Sequence, residues 1–219
     1  MLVRTDNDAP PMVGPAQPEV DQTASPGTMQ PVDLRTAIVS LATVDGPILR
    51  VDRFLSHRVE PSLMVDVGRQ LAALLGPLEP DLLLTAEASG IPPALAAGIE
   101  MDLPIVYAKK YLGGSGARYT FSREVASPTK GTEYRVEIAR HALQPGLQVA
   151  IVDDFLAGGR TAEALGEIAE EAGCTVLATI FVIEKTYTEG RARLEAHGWP
   201  VWSLVQVESL ANGEVRLAP

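Results

Sequence analysis

Apolar residues recur along the chain in two rhythms, and the rhythms alternate. In "VDLRTAIVSLAT", Leu34, Ile38 and Leu41 fall at helical spacing, which predicts the first ordered element. "MVDVGRQLAALL" predicts an amphipathic helix with Met64, Val67, Leu71 and Leu74 on one face. "DLLLTA" reads as a short buried strand, "PPALAAGIEM" as a helix with proline in its first turn, and "PIVYA" as a further strand. A glycine-rich stretch, "YLGGSGARYTFSREVASPTKG", follows. "LQVAIV" then predicts a strand, and "TAEALGEIAEEAG" a helix whose buried stripe is Ala162, Leu165, Ile168, Ala169 and Ala172, with Gly173 suited to a C-terminal cap. "TVLATIFVIE" and "VWSLVQV" supply two last strands. Continuous apolar strands alternating with amphipathic helices predict an α/β fold, its central parallel sheet covered by helices on both faces.

Composition narrows this picture. The first thirty residues are rich in Pro, Ala, Gly, Gln and Asp without periodicity, so residues 1–30 are expected to form a disordered extension and residues 31–219 the folded domain. A net charge of -10 argues against nucleic acid or an anionic membrane as partner. The single cysteine, Cys174, excludes an intrachain disulfide and a cysteine-rich zinc site, and its place after "EEAG" predicts packing at a strand start. No apolar run reaches membrane-spanning length and no signal-peptide pattern opens the chain, so the expected location is cytoplasmic.

Candidate chemistry centres on "AIVDDFLAGGRTAEAL", Ala150 to Leu165. In α/β sheets ligands bind where strand ends lead into helices, and Asp153 and Asp154 stand at such an end. Gly158 and Gly159 permit a turn whose backbone N–H groups converge, and the next helix adds the positive end of its dipole, a combination suited to phosphate. The carboxylates suit hydroxyl groups or hydrated Mg²⁺ instead. A ligand carrying both a phosphate and a sugar diol would satisfy every part. The alternative is an acidic pair that merely caps a surface turn. A P-loop is excluded, since no lysine follows the glycines, and no G-x-G-x-x-G fingerprint is present.

"IVDDFLAGGRTAEA" resembles the phosphoribosyl-pyrophosphate motif of type I phosphoribosyltransferases. With "ILRVDRFLSHRVEPSLM", "TAEASGIPPALAAG" and "VIEKTY" in the same order and spacing, the chain from about Met29 onward resembles the purine enzymes of that family that act on xanthine. The resemblance implies a type I core with a small hood built from N- and C-terminal segments, a homodimer, and two small-molecule substrates, xanthine and phosphoribosyl pyrophosphate. Mg²⁺ is implied as a cofactor carried by the sugar pyrophosphate, near Asp153 and Asp154, with no metal site made by the protein alone. Ala157, Gly158, Gly159, Arg160 and Thr161 would hold the ribose 5-phosphate, while Asp153 and Asp154 would be catalytic and face the ribose hydroxyls. Glu87, Ala88, Ser89 and Gly90 resemble the pyrophosphate loop, which in the family often contains a non-proline cis peptide. Residues Tyr111 to Lys130 resemble a mobile loop that closes over the reacting centre. Leu49, Ser56 and Lys185 stand where the family contacts the base.

Two positions depart from the family pattern. Arg160 occupies a place usually held by a small residue, and either adds a phosphate contact or points to solvent. Ser56 stands where asparagine is expected. Guanine, hypoxanthine or adenine as the base, or a non-catalytic regulator that senses the sugar pyrophosphate, are the rival readings. The regulator needs a DNA-binding module, which the first thirty residues do not resemble. His57 adjoins the base segment, whereas His141 and His197 read as surface residues. "EGRARLEAHG" reads as a solvated helical face rather than a site.

Overall fold

A computed structural model of the protein describes residues 33–112, 118–126 and 133–219. The expected extension over residues 1–30 lies outside the described residues. The chain begins with α1 (Leu34–Leu41), started by Asp33, whose carboxylate accepts hydrogen bonds from Thr36 N at 3.0 Å and Thr36 Oγ1 at 2.7 Å. A hairpin of β1 (Thr43–Asp45) and β2 (Ile48–Arg50) follows, then α2 (Pro61–Leu75), which opens on proline. The core then runs β3 (Leu82–Ala86), α3 (Ile91–Met101), β4 (Ile105–Tyr111), β5 (Thr120–Ala126) and β6 (Glu133–Ala139). It ends with β7 (Gln148–Leu156), α4 (Arg160–Glu171), β8 (Thr175–Lys185), α5 (Gly190–Glu195), β9 (Val201–Ser209) and the short β10 (Arg216–Leu217).

The large sheet has the order β10-β9-β8-β7-β3-β4-β6-β5. Its middle, from β9 to β4, is parallel, as the alternating pattern predicts, while β10, β6 and β5 are antiparallel additions at the two margins. Alternation along the strands divides the core in two. Leu83, Ala150, Val152, Ile180 and Val182 face α2 and α3, meeting Leu71, Ala94 and Ala97. Leu84, Val149, Ile151 and Phe181 face α4, meeting Leu165, Ile168 and Ala169. The hood exists as α1, the β1–β2 hairpin and the C-terminal tail, closed by the Arg35 guanidinium on the Ala218 carbonyl.

Two expectations are corrected. The stretch Tyr111 to Lys130 is not a continuous loop: Tyr111 ends β4, and residues 120–126 form β5, with the remainder partly outside the described residues. Phe121 and Val125 alternate inward on β5, but Arg123, Glu124 and the flanking glycines conceal that rhythm in sequence. Arg123 is itself tied to α4 through Glu167 at 2.8 Å and Glu171 at 2.6 Å. On α2 the buried stripe continues to Leu75 rather than Leu74, which is 37% exposed at the edge of the face. Cys174 is buried as expected, and its thiol donates to the Gln144 carbonyl.

Gly166 lies mid-helix in α4 directly beneath the Trp199 ring, where a Cβ would overlap the indole. Trp199 cannot easily yield, because its Nε1 donates to Glu170 at 3.0 Å and His197 stacks on it at 4.4 Å. Helix propensity favours Gly166→Ala by about 1 kcal/mol, whereas overpacking costs about 1–3 kcal/mol. The packing cost prevails in this geometry, so Gly166→Ala is expected to lower stability in urea denaturation; an increase would show that Trp199 moves freely.

Candidate active site

β7 carries the acidic pair inside the strand rather than beyond it, with Asp153 in register with Phe181 and Phe155 with Ile183. Sequence reasoning ends the strand at Val152, because carboxylates look like loop residues; pairing with β8 extends it to Leu156. Alternation then separates two neighbours. Asp153 lines a cavity of about 300 Å³ together with Ala157, Gly158, Gly159, Arg160 and Thr161. Asp154 lines a second cavity, about 620 Å³, with Leu49, Ser56, His57, Ala88 and Ser89. Phe155 borders both.

Both carboxylates are buried. Burial drives the Asp153 carboxyl well above the ordinary aspartate range; the adjacent Asp154 charge and carboxyl push it the same way, while the Asp154 N–H, at 2.9 Å, and the Lys110 charge oppose the shift. Asp153 therefore holds a proton under conditions in which an exposed aspartate has lost it.

The loop from Ala157 to Gly159 enters α4 with Gly159 at φ +74°, a left-handed conformation that suits glycine. The N-terminus of α4 thus opens onto the first cavity, with the positive end of its dipole toward any anion there. Thr161 Oγ1 lies 2.7 Å from the Tyr134 hydroxyl, and Tyr134 lines the same cavity. Arg160 lines the same cavity, and its Nη1 donates to the Ala126 carbonyl at 2.9 Å, joining α4 to the end of β5.

At the end of β3, the Glu87–Ala88 peptide is cis. Glu87 ties this turn to β4: its Oε1 accepts the Lys110 N–H at 2.7 Å and its own N–H donates to Ala108 O at 3.0 Å. Ser89 does not cap α3; Gly90 holds that position without a side-chain bond. Gly90 presses against Asp153 Oδ1 and Thr85 Oγ1, where a Cβ would overlap both. Thr85 Oγ1 is buried with no hydrogen-bond partner among the described residues.

Lys185 ends β8 half-buried, its Nζ donating to Pro47 O at 2.9 Å in the β1–β2 turn and lying 5.9 Å from the Phe155 ring centre. Burial lowers its pKa. The reading of residues 189–198 as a solvated face is corrected. Arg191 pairs with Glu184, which is 1% exposed, through Nε–Oε1 at 2.7 Å and Nη2–Oε2 at 2.6 Å. Burial would raise the Glu184 pKa, but bonds from Arg191 and Ser203 and the Arg191 charge bring it below the usual range. Arg193 reaches the glycine loop, donating from Nε to Gly158 O at 2.8 Å. Sequence reasoning missed Thr188, Gly190, Arg193 and Tyr134; the one available signal was the glycine and two arginines close behind Lys185.

Two expectations follow from this geometry. A folded-state carboxyl with a raised pKa contributes stability that is complete below the ordinary value of 3.8 and is lost as pH rises through the shifted one. Asp153→Asn should therefore melt increasingly above the wild type as pH is raised above 3.8; a difference constant with pH would contradict the raised Asp153 pKa. Gly90→Ala should displace Asp153 or the Glu87–Gly90 loop, lowering kcat/KM about a hundredfold if catalysis depends on their placement, with unchanged kinetics as the contrary result.

No family model matches the chain. It is 46% identical over 170 residues to a xanthine phosphoribosyltransferase of Chloroflexus aurantiacus, covering 78% of this chain and 80% of that protein. It is 42% identical over 168 residues to a xanthine phosphoribosyltransferase of Pseudomonas savastanoi pv. phaseolicola, covering 77% and 89%. Among solved structures, an adenine phosphoribosyltransferase from Rhodothermus marinus superposes with a TM-score of 0.64 at 28% identity, over 79% of this chain and 99% of that one. The Giardia lamblia enzyme complexed with 9-deazaadenine gives a TM-score of 0.68 at 17% identity, over 81% and 99%, a likeness of fold alone.

Proposed function

The chain belongs to the xanthine phosphoribosyltransferase family, and from that premise we propose that it acts in purine salvage by transferring phosphoribosyl from phosphoribosyl pyrophosphate to xanthine. A purine ring nitrogen bonds C1 of the ribose as the C1–oxygen bond to pyrophosphate breaks, and the imidazole N–H proton leaves to solvent or the departing pyrophosphate, giving xanthosine 5′-monophosphate and pyrophosphate. The observation that carries this reading is the pair of cavities meeting at Phe155, one lined by the glycine loop and Asp153, the other by Asp154, Leu49 and Ser56.

In this reading, residues 157–161 bind the 5-phosphate through backbone N–H groups and the α4 dipole. Asp153 and Asp154 orient the ribose hydroxyls, and the amides of the Glu87–Gly90 loop receive the leaving group. The chain acts by positioning and by preorganised charge, with no covalent intermediate. Among the described residues no three acidic, histidine or cysteine side chains converge. Oxygens of Asp153 and Asp154, at the strand end where the two cavities meet, fit an Mg²⁺ that takes its other ligands from water and substrate phosphates, the cation displacing any proton on Asp153. When bound, the ion would offset charge on the departing pyrophosphate. Leu49 and Ser56 border the base, and Lys185 reads its 6-oxo group. The Lys185 ammonium already takes a carbonyl oxygen, Pro47 O, as partner, and a purine oxo group offers the same acceptor where adenine presents a donor. A cytoplasmic location goes with these two substrates. A homodimer is part of the same proposal, supported by apolar side chains left in solvent on α3, where Ile99 is 72% exposed.

A nucleotide-formation assay with xanthine, guanine, hypoxanthine and adenine tests the function; equal rates with adenine, or no product with any base, would overturn it. Asp153→Asn combined with Asp154→Asn should nearly abolish turnover without unfolding the protein, and near-normal activity would leave the pair a purely structural feature. Lys185→Met should lower the ratio of xanthine to adenine turnover about ten- to a hundredfold, the worth of a charged hydrogen bond. A ratio equal to the wild type's would place purine reading elsewhere.

A further inference from the structure

Behind the glycine loop, on the side away from the cavity, stands the segment that joins β8 to α5. Thr188 Oγ1 lies 2.9 Å from the Ala157 carbonyl oxygen. Arg193 Nε donates to the Gly158 carbonyl oxygen at 2.8 Å. Gly190 fills the space between, so close to Ala157 O that a Cβ would overlap it, and a Cβ on Gly159 would meet Gly190 Cα and O at 3.0 Å. The two chain segments therefore touch backbone to backbone, with one hydroxyl and one guanidinium fastening consecutive carbonyls.

Peptide geometry turns these contacts into an orientation. In a trans peptide the C=O and the following N–H point in opposite directions. Holding the Ala157 and Gly158 carbonyls toward Thr188 and Arg193 turns the Gly158 and Gly159 N–H groups the other way, toward the cavity they line. Glycines flip between peptide orientations at little steric cost, so a loop of this composition needs an external hold to keep its donors, rather than its carbonyl oxygens, facing an anion. Arg193 is itself held by Glu163 at 3.2 Å and lies near Glu189 at 3.8 Å, which limits its freedom to swing away.

We propose that Thr188 and Arg193 are positioning residues of the sugar-phosphate site, which fix the peptide orientation of the Ala157–Gly159 loop and thereby set its affinity for phosphate. Neither residue lines the cavity. Thr188 Oγ1 also lies 2.6 Å from the Lys185 carbonyl, so its single proton stands between the phosphate loop and the end of β8. The inference rests on reading residues 157–161 as the phosphate cradle.

Thr188→Val removes the hydroxyl and preserves shape, Arg193→Met removes the donor and the charge, and Arg193→Lys restores the charge. Ribose 5-phosphate binding by calorimetry, KM for each substrate and the melting temperature are measured for each full-length variant. Thr188→Val and Arg193→Met are expected to weaken ribose 5-phosphate binding and raise KM for phosphoribosyl pyrophosphate about tenfold, with KM for xanthine nearly unchanged and Arg193→Lys intermediate. Unchanged ribose 5-phosphate affinity in both, even with a lower melting temperature, would overturn the inference, as would an equal rise in both KM values. If Arg193→Met does not fold, Thr188→Val alone decides by the same criteria. Wild-type protein that fails to bind ribose 5-phosphate would overturn the cradle reading and this inference with it, whereas wild-type binding with unaffected variants overturns the inference alone.

Discussion

Two carboxylates in consecutive positions of a buried strand constrain what surrounds them. Asp153 and Asp154 belong to β7, the strand flanked by β3 and β8 in the parallel part of the sheet, and neither can retreat to solvent without breaking the ladder that holds it. Burying a carboxylate is costly unless it is neutralised or paired, and here burial raises the Asp153 pKa well above the ordinary range, with the neighbouring Asp154 charge acting the same way. The fold tolerates that state because the same strand end is where the sheet opens. The glycine loop, the cis peptide after β3 and the hood hairpin all meet around it.

The division of labour between the two cavities follows from the pleat. Side chains alternate along β7, so adjacent acids face different compartments: Asp153 joins the α4 side and its glycine loop, Asp154 the hood side with Leu49 and Ser56. A sugar bridging phosphate and base would span the strand end between them. Nothing more than strand alternation is required to give one dipeptide two tasks.

Stability and site geometry are joined through α5 and its approach. The buried Glu184 draws Arg191, Ser203 and Gln206 together, fastening α5 to β8 and β9. A buried ion pair of this kind is not by itself strong evidence of stability, since desolvation offsets much of its attraction. Its location is informative, because Glu184 immediately precedes Lys185, and Arg191 lies two residues before the arginine that fastens the glycine loop. The element that appears in sequence to be a charged surface helix thus packs against the back of the glycine loop.

The parallel centre of the fold and most of its helices were legible in the sequence, because burial on both faces leaves continuous apolar runs and one-sided helices leave stripes. That "VDDFLAGGRT" gathers at one strand end was legible too, because an apolar strand running into glycines before a helix marks such an end, and the structure brings Asp153 and the glycine loop to one cavity. What the sequence could not disclose depends on contacts between distant segments. β5 and β6 were hidden because charged residues on them are satisfied within the protein, as with Arg123 of β5 on Glu167 and Glu171 of α4 and Arg135 on Glu137 within β6. Arg160 was placed by the Ala126 carbonyl and Lys185 by Pro47, partners that no local rule identifies. Thr188, Gly190 and Arg193 acquire their meaning only when the β8–α5 connection is laid against a loop some thirty residues earlier. Local chemistry thus determined which residues could bind a sugar phosphate; the tertiary structure alone decided which way their peptides face, because that orientation is held by hydrogen bonds between segments remote in the chain.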